Sequence, residues 1–188
     1  MSHLSRSIPV LVASLCLAIA GCGSDDDGAP PTTETLSLRF VAVDGDREVG
    51  CGDVIDGVGP DGSDSVEISD LRFYVSNVQL VTADGGTVPV TLDSNEFQYV
   101  DANGSVALVD LTGTQDGACS GDGITYPEGT ARTNAVVTGT YPSAEVQGVT
   151  FDVGIPQQLM KTVIANRTAE DAPSPLAEMH WSWAFAYR

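Results

Sequence analysis

Leu36, Leu38 and Phe40 alternate with Thr35, Ser37 and Arg39 along "TLSLRFVAV", residues 35–43. A period of two puts the three apolar side chains on one face of a half-buried strand. In "VEISDLRFYVSNVQLVTADGG" the period holds through Leu71, Phe73 and Val75, and then Val78 and Leu80 take the other parity. One residue has to be absorbed near Ser76–Asn77, which predicts a bulge or a strand break there. Asp84-Gly85-Gly86 and Asn103-Gly104 each place residues tolerant of positive φ between apolar runs, so each predicts a hairpin. "TARTNAVVTGTYP" and "VQGVTFDVGIP" are two further β-branched runs, separated by a Tyr-Pro turn. "PQQLMKTVIANRTAED" predicts a helix of one or two turns at most. The closing "AEMHWSWAFAY" alternates again. Met179, Trp181, Trp183, Phe185 and Tyr187 share one side; Glu178, His180, Ser182, Ala184 and Ala186 share the other. That pattern predicts a single half-buried strand with its large side chains in the core and His180 facing outward. Many short β runs joined by Gly- and Pro-rich turns predict an all-β fold, an antiparallel β-sandwich.

The two ends add information about targeting. Residues 1–21 hold a basic head with Arg6 and an apolar run from Ile8 to Ala20. The run is too short for a spanning helix and suits a secretory signal. It ends in "IAGC", which resembles a bacterial lipobox, where Cys22 is lipidated and becomes the new N-terminus. An ordinary secretory signal cut nearby is the alternative. By analogy with the Gram-negative sorting rule, Gly23 after that cysteine favours the outer membrane, with the protein periplasmic or surface-exposed. Residues 22–34 then form an acidic, Pro-containing tether that cannot bury a core, and residues 35–188 form one domain. Arg188 ends the chain inside an apolar run with no turn after it. The domain is therefore expected to be incomplete at its C-terminus, and missing strands would leave an open edge.

Charge narrows the partners. The chain has 8 basic and 26 acidic residues, a net charge of −18. Loss of the signal removes Arg6 and no carboxylate, which leaves −19. Seven basic residues among 26 acidic ones offer no basic surface to neutralise a phosphate backbone, so nucleic acid is excluded as a partner. Anionic lipid is disfavoured too, and membrane attachment is expected through the lipid anchor only. Of four cysteines, Cys16 leaves with the signal and Cys22 is the lipidation candidate, so Cys51 and Cys119 remain. An oxidising compartment predicts that these two form a disulfide, with two free thiols as the alternative. Neither acidic loop, around Asp44 and Asp46 or around Asp61 and Asp64, follows the EF-hand order of ligands. Solvated turn carboxylates are the expectation there. Ser105, Ser120 and Ser182 have no triad, since His180 is the one histidine left after processing. No feature selects a carboxylate pair for hydrolysis.

Several phrases in order carry a family resemblance. They are Cys51-Gly52, "ISDLRFYVSNVQLVTADGGTVPVTL", "VALVDLT" before a Gly-rich cysteine, "GVTFDVGIP", "APSPL" and the terminal "WSWAFAYR". This series resembles the metallo-mystery pair four-Cys motif proteins, the MbnP-like family found beside methanobactin and other copper-related operons. The resemblance runs from about Thr35 onward. It implies an exported β-rich protein, often a lipoprotein, encoded with a di-haem cytochrome c peroxidase-like enzyme. That partner oxidises a tryptophan of the MbnP-like protein to kynurenine, and the modified protein is associated with copper. The implied role is therefore substrate and copper binder, not enzyme. The matching positions are Trp181 and Trp183. Copper(I) favours thioether, imidazole and thiolate donors, which after processing are Met160, Met179 and His180, and the two cysteines if unpaired.

The chain departs from the family pattern in three places. Family members commonly carry Asn-His after "VGIP", where this chain has Met160-Lys161, and "PLN" where it has "PLA" with Ala177. Only Cys51 and Cys119 match the four cysteines, in keeping with the expected C-terminal incompleteness. The rival expectation is a sandwich serving as a binding or scaffold lipoprotein, with both tryptophans in the core, no metal and no modification.

Overall fold

In the computed structural model the described residues are 32–112, 133–166, 175–181 and 186–187. For residues 162–166, 178, 180, 181, 186 and 187 the description is of backbone alone. All of them fall in one compact unit, Pro31–Arg188.

In chain order the strands are β1 (Thr33–Arg39), β2 (Val43–Asp44), β3 (Arg47–Glu48), β4 (Val54–Val58) and β5 (Asp64–Glu67). Next come β6 (Arg72–Thr82), β7 (Thr87–Pro89), β8 (Thr91–Leu92), β9 (Gln98–Asp101), β10 (Gly104–Asp110), β11 (Val136–Pro142) and β12 (Val146–Val153). Helix α1 (Gln157–Asn166), a 3-10 turn (Leu176–Met179), β13 (His180–Trp181) and β14 (Ala186–Tyr187) complete the series. One sandwich sheet has the order β1-β11-β8 and the other the order β12-β6-β10-β9, with β7 also beside β6, while β2-β3, β4-β5 and β13-β14 form separate two-stranded pairs. All pairings are antiparallel. The architecture is the all-β sandwich expected from the turn-punctuated pattern. Both hairpins are present: Gly85 takes φ 84° between β6 and β7, and Gly104 takes φ 145° as β9 turns into β10.

The bulge in β6 is also present, without a strand break. Gln79 faces Thr150 and Ser76 faces Asp152, so Asn77 and Val78 together oppose Phe151 alone. Asn77 takes the extra turn of the backbone at φ 50°. Val75 and Val78, of opposite parity in sequence, thereby reach the same hydrophobic cluster.

Two cores flank the larger sheet. Between the sheets lie Val75, Val78, Leu80, Val90, Leu92, Ala107, Val109 and Val137, with Leu36, Leu38 and Phe40 of the β1 segment packed against them. On the opposite face Tyr74, Val106 and Leu108 pack with Phe97, Leu159 of α1, and Leu176 and Met179 of the 3-10 turn. β10 therefore alternates between two buried faces, and Val106, Ala107, Leu108 and Val109 are all fully buried. Each of the two valines and Leu108 contributes roughly 1.5–3 kcal/mol by leaving water. Gln98 joins the sheets at one end: its Nε2 donates to the carbonyls of Asp93 and Thr138, both at 2.9 Å, and its Oε1 accepts from Thr138 N–H at 2.8 Å.

Three expectations need correction. The first strand stops at Arg39, and Val43–Asp44 instead pairs with Arg47–Glu48 around Gly45 at φ 61°. The helix runs ten residues, nearly three turns rather than one or two. The terminal segment is not one strand. Leu176 and Met179, three apart, both enter the second core from a 3-10 turn, whose period superposes such residues. His180 then pairs with Tyr187, and Trp181 with Ala186, so the backbone folds back on itself.

Candidate functional site

The terminal segment reaches the sandwich through apolar anchors. Pro175 and Leu176 are fully buried, and Met179 is 8% exposed. The Tyr74 hydroxyl donates to the Pro175 carbonyl at 3.0 Å, with the Leu176 carbonyl at 3.5 Å. Tyr74 is itself 2% exposed on β6. Its own carbonyl accepts from Gly154 N–H at 2.8 Å, where β12 ends and the chain turns toward α1. Gly154 makes that exit at φ 123°, a conformation suited to glycine.

A cavity of about 540 Å³ opens beside this junction, lined by Asp70, Arg72, Phe73, Tyr74, Val153, Gly154 and Met179. Its charged wall is paired. Arg72 Nε and Nη2 donate to the two oxygens of Asp70, each at 2.8 Å. This fork-to-fork geometry is the strong form of the guanidinium–carboxylate bond. The network continues inward: Thr112 Oγ1 lies 3.5 Å from Asp70, and Thr112 N–H donates to Asp110 Oδ1 at 2.9 Å. Burial pushes the Asp110 carboxyl above its ordinary range, against the hydrogen bonds from Thr112 and the charge of Arg72.

The candidate residues are distributed as follows. Met179 forms part of the cavity wall and of the second core. His180 and Trp181 follow it directly on the backbone of β13. Met160 is half-buried on α1, next to Leu159 of the same core, and Lys161 is exposed. Ala177 packs against that core as well, so this departure from the family pattern falls on the cluster itself. Trp183, Cys119 and Cys22 lie outside the described residues. Cys51 is disulfide-bonded. The acidic loops use their carboxylates in local turns. Asp44 pairs with Arg47 at 3.3 Å, and Asp61 accepts from the Ser63 hydroxyl at 2.9 Å.

Among the described residues no three His, Cys, Asp or Glu side chains group as a metal cage. The soft donors that remain, the thioethers of Met179 and Met160 and the imidazole of His180, fit the donor chemistry of copper(I). Met179 is buried where it borders the cavity. Sequence reasoning missed the second core, the Tyr74 anchor and the Asp70–Arg72–Thr112–Asp110 network. Leu159, Met160, Val163 and Ile164 did carry a helical spacing that signals the second core.

No curated protein matches the chain. Among solved structures it is similar to MbnP from Methylosinus trichosporium, with 30% identity and a TM-score of 0.59. That likeness covers 81% of this chain and 51% of the other, so the chain spans about half the length of its relative. The MbnP family model matches residues 33–188, and the chain belongs to the MbnP family.

Proposed function

We propose that this chain is an exported, copper-associated lipoprotein and the protein substrate of a di-haem cytochrome c peroxidase-like partner, which oxidises Trp181 or Trp183 to kynurenine. Membership of the MbnP family over residues 33–188 is the observation that carries this reading. Cys22 holds the lipid that anchors the protein at the outer membrane, and Cys51 is bridged to Cys119. The acidic surface leaves the lipid as the means of membrane contact.

In this reading the chain supplies the indole ring and the partner supplies the oxidising power. Two equivalents of peroxide, each reduced to water at the partner's haems, supply the four oxidising equivalents. The indole C2–C3 bond is cleaved with oxygen added at both carbons, and hydrolysis of the formyl group leaves kynurenine and formate. Met179, Met160 and His180 would hold copper(I), for which their thioether and imidazole donors are suited. The second core excludes water on one side of that segment, and the Asp70–Arg72 pair leaves the cavity wall without net charge.

Peptide mass mapping of the protein co-expressed with its partner tests the substrate role. The expected result is a kynurenine mass shift confined to the Trp181–Trp183 peptide and dependent on the partner. An unshifted peptide in the presence of active partner overturns it in favour of a scaffold lipoprotein.

A further inference from the structure

We infer that Tyr74 is a positioning residue, whose buried hydroxyl sets the place of the Met179–His180–Trp181 segment on the sandwich. The inference rests on the proposed function for its chemical consequence but on geometry for its physical basis. Tyr74 joins three separate parts of the chain. Its backbone belongs to β6, its carbonyl takes the Gly154 N–H at the end of β12, and its hydroxyl donates to the Pro175 carbonyl at 3.0 Å. The last of these spans 101 residues of sequence.

The local physics makes this bond selective. Pro175 and Leu176 are fully buried, so the Pro175 carbonyl is removed from water and needs a donor. Apolar packing at Leu176 and Met179 is non-directional and tolerates sliding of the 3-10 turn by part of a residue. A hydrogen bond at 3.0 Å does not tolerate it, because its strength falls steeply with distance and angle. The anchor lies four residues before Met179 and six before Trp181, with one 3-10 turn between them. Displacement at Pro175 is therefore transmitted along a short, ordered path to the candidate copper donors and the oxidisable ring.

Amide hydrogen exchange of the full chain, without copper or partner, tests the anchor. In Tyr74→Phe the amides of residues 176–181 are expected to exchange about tenfold faster, the factor corresponding to one buried hydrogen bond. Those of β10 should be unchanged. Tyr99→Phe is the control of equal chemistry, since the Tyr99 hydroxyl donates to Asp101 at 3.2 Å in the β9–β10 turn. It should leave residues 176–181 unchanged. Exchange that is unaltered in Tyr74→Phe, or faster equally throughout, overturns the inference. Should that variant not fold, NMR of the unmutated chain decides. A slowly exchanging Tyr74 hydroxyl proton near the Pro175 and Leu176 α-protons supports the anchor, and its absence refutes it. The chemical arm is separate: Tyr74→Phe should lower the kynurenine yield about tenfold and alter its split between Trp181 and Trp183. Fast exchange without any kynurenine in the parent protein leaves the anchor standing and removes the proposed function.

Discussion

At Asp110 a carboxylate with 1% exposure keeps one oxygen, Oδ2, with no hydrogen-bond partner among the described residues. Burial raises its pKa above the ordinary 3.8, so the folded state holds the proton more tightly than the unfolded chain does. The stability this gives is complete below pH 3.8 and is lost as pH rises through the folded-state value. Asp110→Asn removes the titration. The stability of the parent relative to that variant should therefore grow as pH falls from 8 toward 4, as read from urea midpoints. A parallel pair of pH profiles would refute it. Glu34 and Asp84 have the opposite sign: hydrogen bonds, chiefly from the Ser143 and Thr82 hydroxyls, lower their pKa values. Their contribution cancels in the comparison. Gly139 sets a steric limit of another kind. A Cβ there would lie 2.5 Å from the Thr91 carbonyl oxygen and 2.9 Å from Val90 Cγ1. Gly139→Ala should cost roughly 1–3 kcal/mol in chemical denaturation, whereas Gly148→Ala meets its nearest atom, Val81 Cβ, at an ordinary 3.6 Å and should be nearly neutral.

At the scale of elements, the bulge in β6 shows what a sequence pattern can reveal. The parity change between Val75 and Val78 located it, because a half-buried strand cannot shift register without moving its apolar face. Asn77→Val puts a β-branched side chain at φ 50° and should cost about 1–2 kcal/mol. Asn77→Gly should stay within about 0.5 kcal/mol, and equal urea midpoints for the two would contradict the bulge. Both glycine hairpins were legible for the same local reason. The apolar run of β10, Val106–Val109, already spoke for burial on two faces, yet nothing local said what covers the second face. The terminal segment misled because its alternation fits a strand, while Leu176 and Met179 also fit a 3-10 turn and tertiary packing selected the turn. The Tyr74–Pro175 bond joins residues 101 apart and leaves no trace in any local window.

At the scale of the whole molecule, the cluster of soft and oxidisable residues near the C-terminus was plain from the sequence: Met179, His180, Trp181 and Trp183 fall within five consecutive positions. The sandwich holds the start of that cluster against a buried core through Leu176 and Met179. Family membership gives the cluster its proposed meaning, as copper donors beside a tryptophan that a haem partner oxidises. A scaffold lipoprotein would also bury Met179 but would have no reason to bind copper or to change its tryptophans. The most direct test is a copper(I) titration of the full-length protein made with and without the peroxidase-like partner, each sample mapped at the "AEMHWSWAFAYR" peptide. The account predicts stoichiometric copper and a kynurenine in that peptide only where the partner was present. Unmodified tryptophans and no bound copper in both samples would contradict it.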